Sequence, residues 1–126
     1  MIDWNQVVTA EDKARQHKNA VLDAIASRRW QAECSGIAVD GMAFKTDRES
    51  QALITGAAVS AMLDSNYSVQ WKTPGGFVLI SGQQVIAVAS AIRAHVQACF
   101  DREAELVAAV EAGTYSDEML NTGWPE

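Results

Sequence analysis

The feature that most constrains this fold is a helical pattern that runs without a proline from about Gly82 to Ala112. Gly113 follows it as a predicted C-cap. One row of residues in it recurs at alternating spacings of three and four, which is typical of a heptad seam. The members of this C-terminal seam are Ala89, Ile92, Val96, Cys99, Glu103, Leu106 and Val110. Such a helix spans roughly 45 Å, whereas a globule of 126 residues is roughly 30 Å across. Its end is therefore predicted to pack on another long helix or on another chain, and Glu103 needs a partner if it is buried.

A second long helix is predicted over residues 9–31. Thr9 can cap it, Glu11 and Asp12 suit its first turn, and neither proline nor glycine interrupts it. Its own narrow seam consists mostly of small residues: Val7, Ala10, Ala14, His17, Val21, Ala24 and Arg28. This N-terminal seam is predicted to pack closely on a neighbouring helix.

Two β-hairpins are predicted between these helices. The first has strands over 36–39 and 42–45 around the pair Asp40–Gly41, which is a strong hairpin signal. The second covers 66–81, with Thr-Pro-Gly-Gly as its turn. Its return strand is a continuous apolar run, which predicts burial of part of that strand on both faces.

A short helix is predicted between the hairpins, in the stretch "TDRESQALITGAAVSAM". Thr46 and Glu49 have the spacing of a capping box, and Asp47 adds negative charge at the helix N-terminus. The residues that follow are apolar on most sides, so this helix is predicted to be largely buried. The charged stretch is thereby interpreted as the start of a core helix.

The predicted fold class is α+β, with the two hairpins forming one small antiparallel sheet. The buried short helix belongs to its core, and the long N- and C-terminal helices pack on one face. The chain divides into an N-terminal helix at 1–32 with a lead-in or oligomerisation role and an α+β domain at 33–113. Residues 114–126 form the remainder, with a short helix at 116–120 and an acidic tail.

The uneven distribution of charge excludes one class of partner. The formal net charge is −6, and residues 101–126 carry seven acidic residues against the single basic residue Arg102. No basic face is available to neutralise phosphates, so a nucleic-acid partner is not expected. No apolar run approaches a membrane span and no signal peptide is recognised, which predicts a soluble, intracellular chain with no membrane partner.

Residues suited to catalysis or metal binding are few. His95 and Cys99 lie four residues apart on one helical face, but a zinc site needs three or four ligands. Cys34 and Cys99 are too few for a disulfide framework, although the sequence is compatible with a single disulfide between them. No serine or cysteine lies in a strand–turn–helix elbow. The sequence therefore predicts no enzyme, no catalytic residue, no cofactor and no metal.

Tryptophan residues are candidates for partner binding, because tryptophan is over-represented at interface hot spots. Trp71 lies beside the second predicted turn, and Trp124 lies in a tail with no predicted element to bury it. The alternative is that each tryptophan, including Trp4 and Trp30, covers an edge of the core. The overhanging end of the C-terminal seam adds Leu106 and Val110 as candidates. The predicted partner-binding residues are therefore Trp71, Lys72, Trp124, Leu106 and Val110.

Four segments carry a family resemblance: "RWQAECSGIAVDGMAFKTDRESQALITGAAVSAMLD", "YSVQWKTPGGFVLIS", "VIAVASAIRAHVQACFDREAELVAAVEAGT" and "GWP". Together they resemble a domain of formally unknown function that recurs in tail-fibre and tail-fibre-assembly proteins of tailed bacteriophages and prophages. The resemblance covers residues 29–125.

The resemblance implies a phage or prophage origin, a tail-fibre polypeptide as partner, and no catalytic residue. The short chain has no shaft-like segment, which favours a free assembly chaperone in the host bacterial cytoplasm. The alternative is a structural subunit of the virion tail that forms homo-oligomers through its helix seams.

Overall fold

A computed structural model describes residues 9–126 as α+β, which confirms the predicted class. Its elements are α1 (Ala10–Glu33), β1 (Ile37–Val39), β2 (Met42–Phe44), α2 (Arg48–Leu63), β3 (Ser68–Thr73), β4 (Gly76–Ser81), α3 (Gly82–Ala112) and a 3-10 helix (Asp117–Asn121). Residues 1–8 lie outside the described residues, and with them Val7 of the N-terminal seam, Trp4 and the start of the predicted segment 1–32.

Both hairpins form where their turn residues predict them. Asp40 and Gly41 have φ of 52° and 78°, the left-handed values that a two-residue turn between twisted strands requires. They pair β1 with β2, and the Pro74–Gly75 turn pairs β3 with β4. The prediction of one joint sheet is wrong, because the hairpins form two separate two-stranded sheets. Each hairpin packs one face on the core, and no strand of one hairpin pairs with a strand of the other.

The core lies between α2, α3 and the inner faces of the hairpins, with α3 packed on both α1 and α2. Its buried apolar members are Phe44, Ile54, Ala57, Ala61, Ile80, Val85, Val88, Ile92 and Val96. Ser81 caps the start of α3, and left-handed Gly113 caps its end, as predicted.

The C-terminal seam packs within the chain. Cys99 and Leu106 are fully buried, and Glu103 finds its partner in Arg29 of α1, at 3.1 Å. Near the end of α3, Lys18 of α1 pairs with Glu111 at 2.8 Å. The overhanging part of α3 is therefore covered by α1 of the same chain.

The predicted N-terminal seam is wrong. Ala10, Ala14, His17 and Ala24 are exposed, whereas Ile25, Ala32 and Glu33 are buried. Exposed alanines lose little by staying in water, so burial of the larger Ile25 decides which face of α1 turns inward.

The predictions that α2 is largely buried and that part of β4 is buried on both faces are also wrong. One face of α2 is buried through Ile54, Ala57 and Ala61, and the other exposes four large apolar residues. These are Leu53, Val59, Met62 and Leu63. In β4, Phe77 and Leu79 are exposed, because a two-stranded hairpin covers the core with only one face.

Candidate partner-binding site

The start of α2 differs from the predicted capping box. Its N-cap is Asp47, whose carboxylate accepts from Ser50 N at 3.4 Å and from Ser50 Oγ at 2.5 Å. Thr46 is instead fully buried, and its hydroxyl donates to Glu33 O at 2.5 Å and accepts from Gly36 N at 2.9 Å. It thus satisfies a backbone carbonyl at the open end of α1. The cap moves by one residue because the Thr46 hydroxyl is engaged at the C-terminal end of α1.

Beside Thr46 lies a set of hydrogen-bonded side chains, the Glu33 cluster, formed by Glu33, Arg29, Arg48, Gln51 and Glu103. The Glu33 side chain is fully buried. It accepts from Arg29 Nη1 at 2.7 Å, Gln51 Nε2 at 2.9 Å and Arg48 Nη2 at 3.1 Å, and from Arg48 Nε. Arg29 also donates to Glu103 at 3.1 Å. The cluster joins α1, α2 and α3.

Burial and hydrogen bonding act in opposite directions on Glu33. Burial raises the pKa of its carboxyl group, and hydrogen bonds from Arg48, Gln51 and Arg29 outweigh that effect, so the pKa lies below 4.5. Within residues 9–126, no buried side-chain nitrogen or oxygen lacks a hydrogen-bond partner. The Glu33 carboxylate is therefore ionised at neutral pH, and its hydrogen bonds are satisfied, as in a structural group.

A groove lies between the N-terminal half of α2 and the end of β3. Its inner part is a cavity of about 170 Å³ lined by Lys45, Ser50, Leu53, Trp71 and Lys72. We call these five residues the Trp71 groove. An overlapping depression of about 540 Å³ shares most of them and adds Asp47, Glu49, Thr73 and Pro74.

The Trp71 groove is lined by both apolar and charged side chains. Leu53 is 58% exposed, Trp71 is half-buried against the core, and Lys45 and Lys72 are exposed beside them. Its volume would hold about five water molecules, or one apolar side chain of similar size. The lysines can donate to backbone carbonyls or carboxylates of the segment that carries that side chain.

The groove unites two of the five predicted partner-binding residues, Trp71 and Lys72, and the other three lie elsewhere. Trp124 is half-buried, not in an exposed tail: its Nε1 donates to Leu120 O at 2.7 Å, and its ring lies 5.3 Å from the Arg28 guanidinium. Leu106 is fully buried, so no partner can reach it in this structure. Val110 is half-buried on α3.

Sequence reasoning missed Lys45, Ser50 and Leu53. The exposure of Leu53 could have been predicted from its neighbour. Leu53 and Ile54 are adjacent in α2, so only one of them can face α3. Ile54 is 1% exposed and takes the core position.

His95 and Cys99 are buried side by side on α3, with Cys99 Sγ 3.8 Å from His95 Nε2. His95 Nε2 lies 2.8 Å from Ala32 O, and because a carbonyl only accepts, Nε2 must be the donor. Burial raises the pKa of the Cys99 thiol, and both cysteines are free. No group of three histidine, cysteine or acidic side chains among residues 9–126 is placed to hold a metal ion.

No helix in the described part of the chain is long and apolar enough to cross a membrane. A family model described as Domain of unknown function (DUF4376) matches residues 16–121. The match covers most of the chain, including the Glu33 cluster and the Trp71 groove, so the chain belongs to this family. Comparisons with curated proteins and with solved structures gave no match.

Proposed function

We propose that this chain is a bacteriophage tail-fibre assembly protein that binds a tail-fibre polypeptide through the Trp71 groove, without catalysis. The phage context rests on the resemblance of residues 29–125. The observation that carries the binding proposal is the groove itself, where an exposed leucine and a half-buried tryptophan lie between two lysines.

The surroundings of the groove support a binding role. Leu53 is carried by α2, which is anchored by the Glu33 cluster, and Trp71 is carried by β3, whose inner face packs on the core. A site on such elements is preorganised, so little conformational entropy is lost when a partner binds. An apolar side chain of an unassembled fibre would be shielded there until the fibre trimerises.

The buried His95–Cys99 pair supports the non-catalytic part of the proposal. Because Nε2 of His95 donates to Ala32 O, that nitrogen cannot take a proton from the Cys99 thiol. The thiol is also fully buried, out of reach of a substrate.

Co-purification with the tail-fibre polypeptide of the encoding phage or prophage tests the binding proposal. Leu53→Glu places a charge in the groove, and Leu63→Glu is the matched control on the same helix, where Leu63 is 84% exposed and outside the groove. We expect Leu53→Glu to weaken binding at least tenfold, as loss of an interface hot spot does, and Leu63→Glu to leave it unchanged. Equal effects of the two variants would contradict the proposal.

A further inference from the structure

Strand β4 has an edge that no other strand of residues 9–126 covers. In an antiparallel ladder, hydrogen-bonded and non-hydrogen-bonded pairs alternate. Just beyond this ladder, Gly82 N donates to Tyr67 O at 2.7 Å, so Tyr67 and Gly82 occupy a hydrogen-bonded position. The alternation along β3 and β4 is counted from that position. By the register of β3 and β4, Phe77 and Leu79 then lie at non-hydrogen-bonded positions. Their backbone N–H and C=O groups point away from β3, toward the free edge.

The β4 edge lacks the devices that usually protect an edge strand. β4 has the sequence GFVLIS, with no charge and no proline. Phe77 and Leu79 are 69% and 64% exposed, so the residues with outward backbone groups also present apolar side chains. The exposed face of β3 is polar by contrast and includes Lys72, which disfavours pairing at that edge.

We propose that a second copy of this chain occupies the β4 edge. Two β4 strands would pair antiparallel about a two-fold axis at Val78, with Phe77 of each copy opposite Leu79 of the other. This register uses the four outward backbone groups of Phe77 and Leu79 on each strand and forms two apolar cross-strand pairs. The contact is self-complementary, as a two-fold interface requires, and it yields one four-stranded sheet.

The charge distribution permits this contact despite the net charge of −6. Between residues 65 and 92, Lys72 is the only charged residue, so two copies of hairpin β3–β4 meet with little repulsion. The seven acidic residues of 101–126 begin 19 positions after Gly82. That separation along α3 is roughly 28 Å, well beyond the Debye length of about 8 Å at physiological salt.

The contact area indicates a weak dimer. An aromatic side chain buries about 150–250 Å² in total, and two-thirds of that is free on each Phe77. With the two leucines and the paired backbone, the interface stays below about 1,200 Å², the range of transient complexes. Dimerisation is therefore concentration-dependent.

Sedimentation of the full chain from micromolar to millimolar concentration tests this contact. We expect wild type to pass from one chain mass to twice that mass. Leu79→Lys should shift the midpoint at least tenfold toward higher concentration, while Leu63→Lys, an exposed control on α2, should not shift it. Circular dichroism verifies that the variants fold.

A charge-pair exchange tests the register. Phe77→Glu alone should weaken the dimer, and Phe77→Glu combined with Leu79→Lys should restore it, because opposite charges then face each other across the axis. A chain that stays monomeric, or a dimer that Leu63→Lys disrupts as strongly as Leu79→Lys does, would overturn the proposal. So would a monomer that loses fibre binding on Leu79→Lys, because the edge would then accept a fibre strand. Leu53→Glu tests the groove separately.

Discussion

At the scale of single residues, Glu33 links the C-terminal end of α1 to α2. Two arginines and one glutamine from two helices converge on it, and a threonine from the loop before α2 binds its carbonyl. The polar residues of "TDRESQ" therefore serve more than the start of a helix. Thr46, Arg48 and Gln51 fasten that helix to the end of α1.

Removing the Glu33 charge should destabilise the fold. Glu33→Gln leaves Arg29 largely buried with only Glu103 as counter-charge, so we expect a loss of about 3 kcal/mol in the free energy of unfolding. The control is Glu105→Gln, which removes an exposed pair with Arg102 and should cost under about 1 kcal/mol. Urea unfolding at neutral pH measures both, and equal losses would contradict this account of the cluster.

The same variant has a defined pH dependence. The folded-state pKa of Glu33 is lowered, so the ionised carboxylate stabilises the fold fully above about pH 4.5, the ordinary value of its pKa. This contribution to the free energy of unfolding is lost as pH falls through the lowered folded-state pKa. The difference in unfolding free energy between wild type and Glu33→Gln should therefore be constant at neutral pH and shrink in acid. A difference that persists unchanged to the lowest pH at which both proteins fold would show that the carboxyl group is not ionised in the cluster.

At the scale of elements, the sequence predicted structure well wherever the signal was local. Asp40–Gly41 and Thr-Pro-Gly-Gly mark the turns, and Gly113 ends α3. The predictions failed where contacts between residues far apart in sequence determine the structure. Thr46 binds the end of α1 and so does not cap α2, and packing on α3 determines which face of α2 is buried. For the same reason the sequence predicted only two of the five groove residues. Trp71 and Lys72 are adjacent in sequence, whereas Leu53 comes close to them only in the folded chain.

The C-terminal segment is held to α3 by a contact that a single methyl group should break. Arg102 donates to Thr122 O and Met119 O, both at 3.0 Å. A Cβ added at Gly123 would lie 2.6 Å from Arg102 Nε, and the φ of +81° there already disfavours other residues.

Gly123→Ala should therefore release this segment and speed hydrogen exchange of the Trp124 indole N–H at least tenfold. Gly113→Ala is the matched control, because its φ of +74° is similar but nothing lies within 4 Å of the added Cβ. We expect that control to leave exchange at Trp124 unchanged. Equal exchange in the two variants would mean that left-handed strain alone, and not the clash with Arg102, governs the segment.

At the scale of the whole molecule, the surfaces assigned to binding lie toward one end. The Trp71 groove and the β4 edge both adjoin hairpin β3–β4, in which Lys72 is the only charged residue, while the far half of α3 carries acidic residues. The C-terminal seam is occupied within the chain, where α1 covers the end of α3. This arrangement leaves the hairpin end available to the partners proposed above.

An assembly factor leaves its client before the particle is complete, whereas a structural subunit stays. The most direct test is quantitative mass spectrometry of purified phage or induced prophage particles beside the infected-cell lysate. We expect this chain in the lysate, bound to the tail-fibre polypeptide, and absent from the finished particles. Its presence in particles at a stoichiometric level would contradict the assembly role and identify the chain as a tail component.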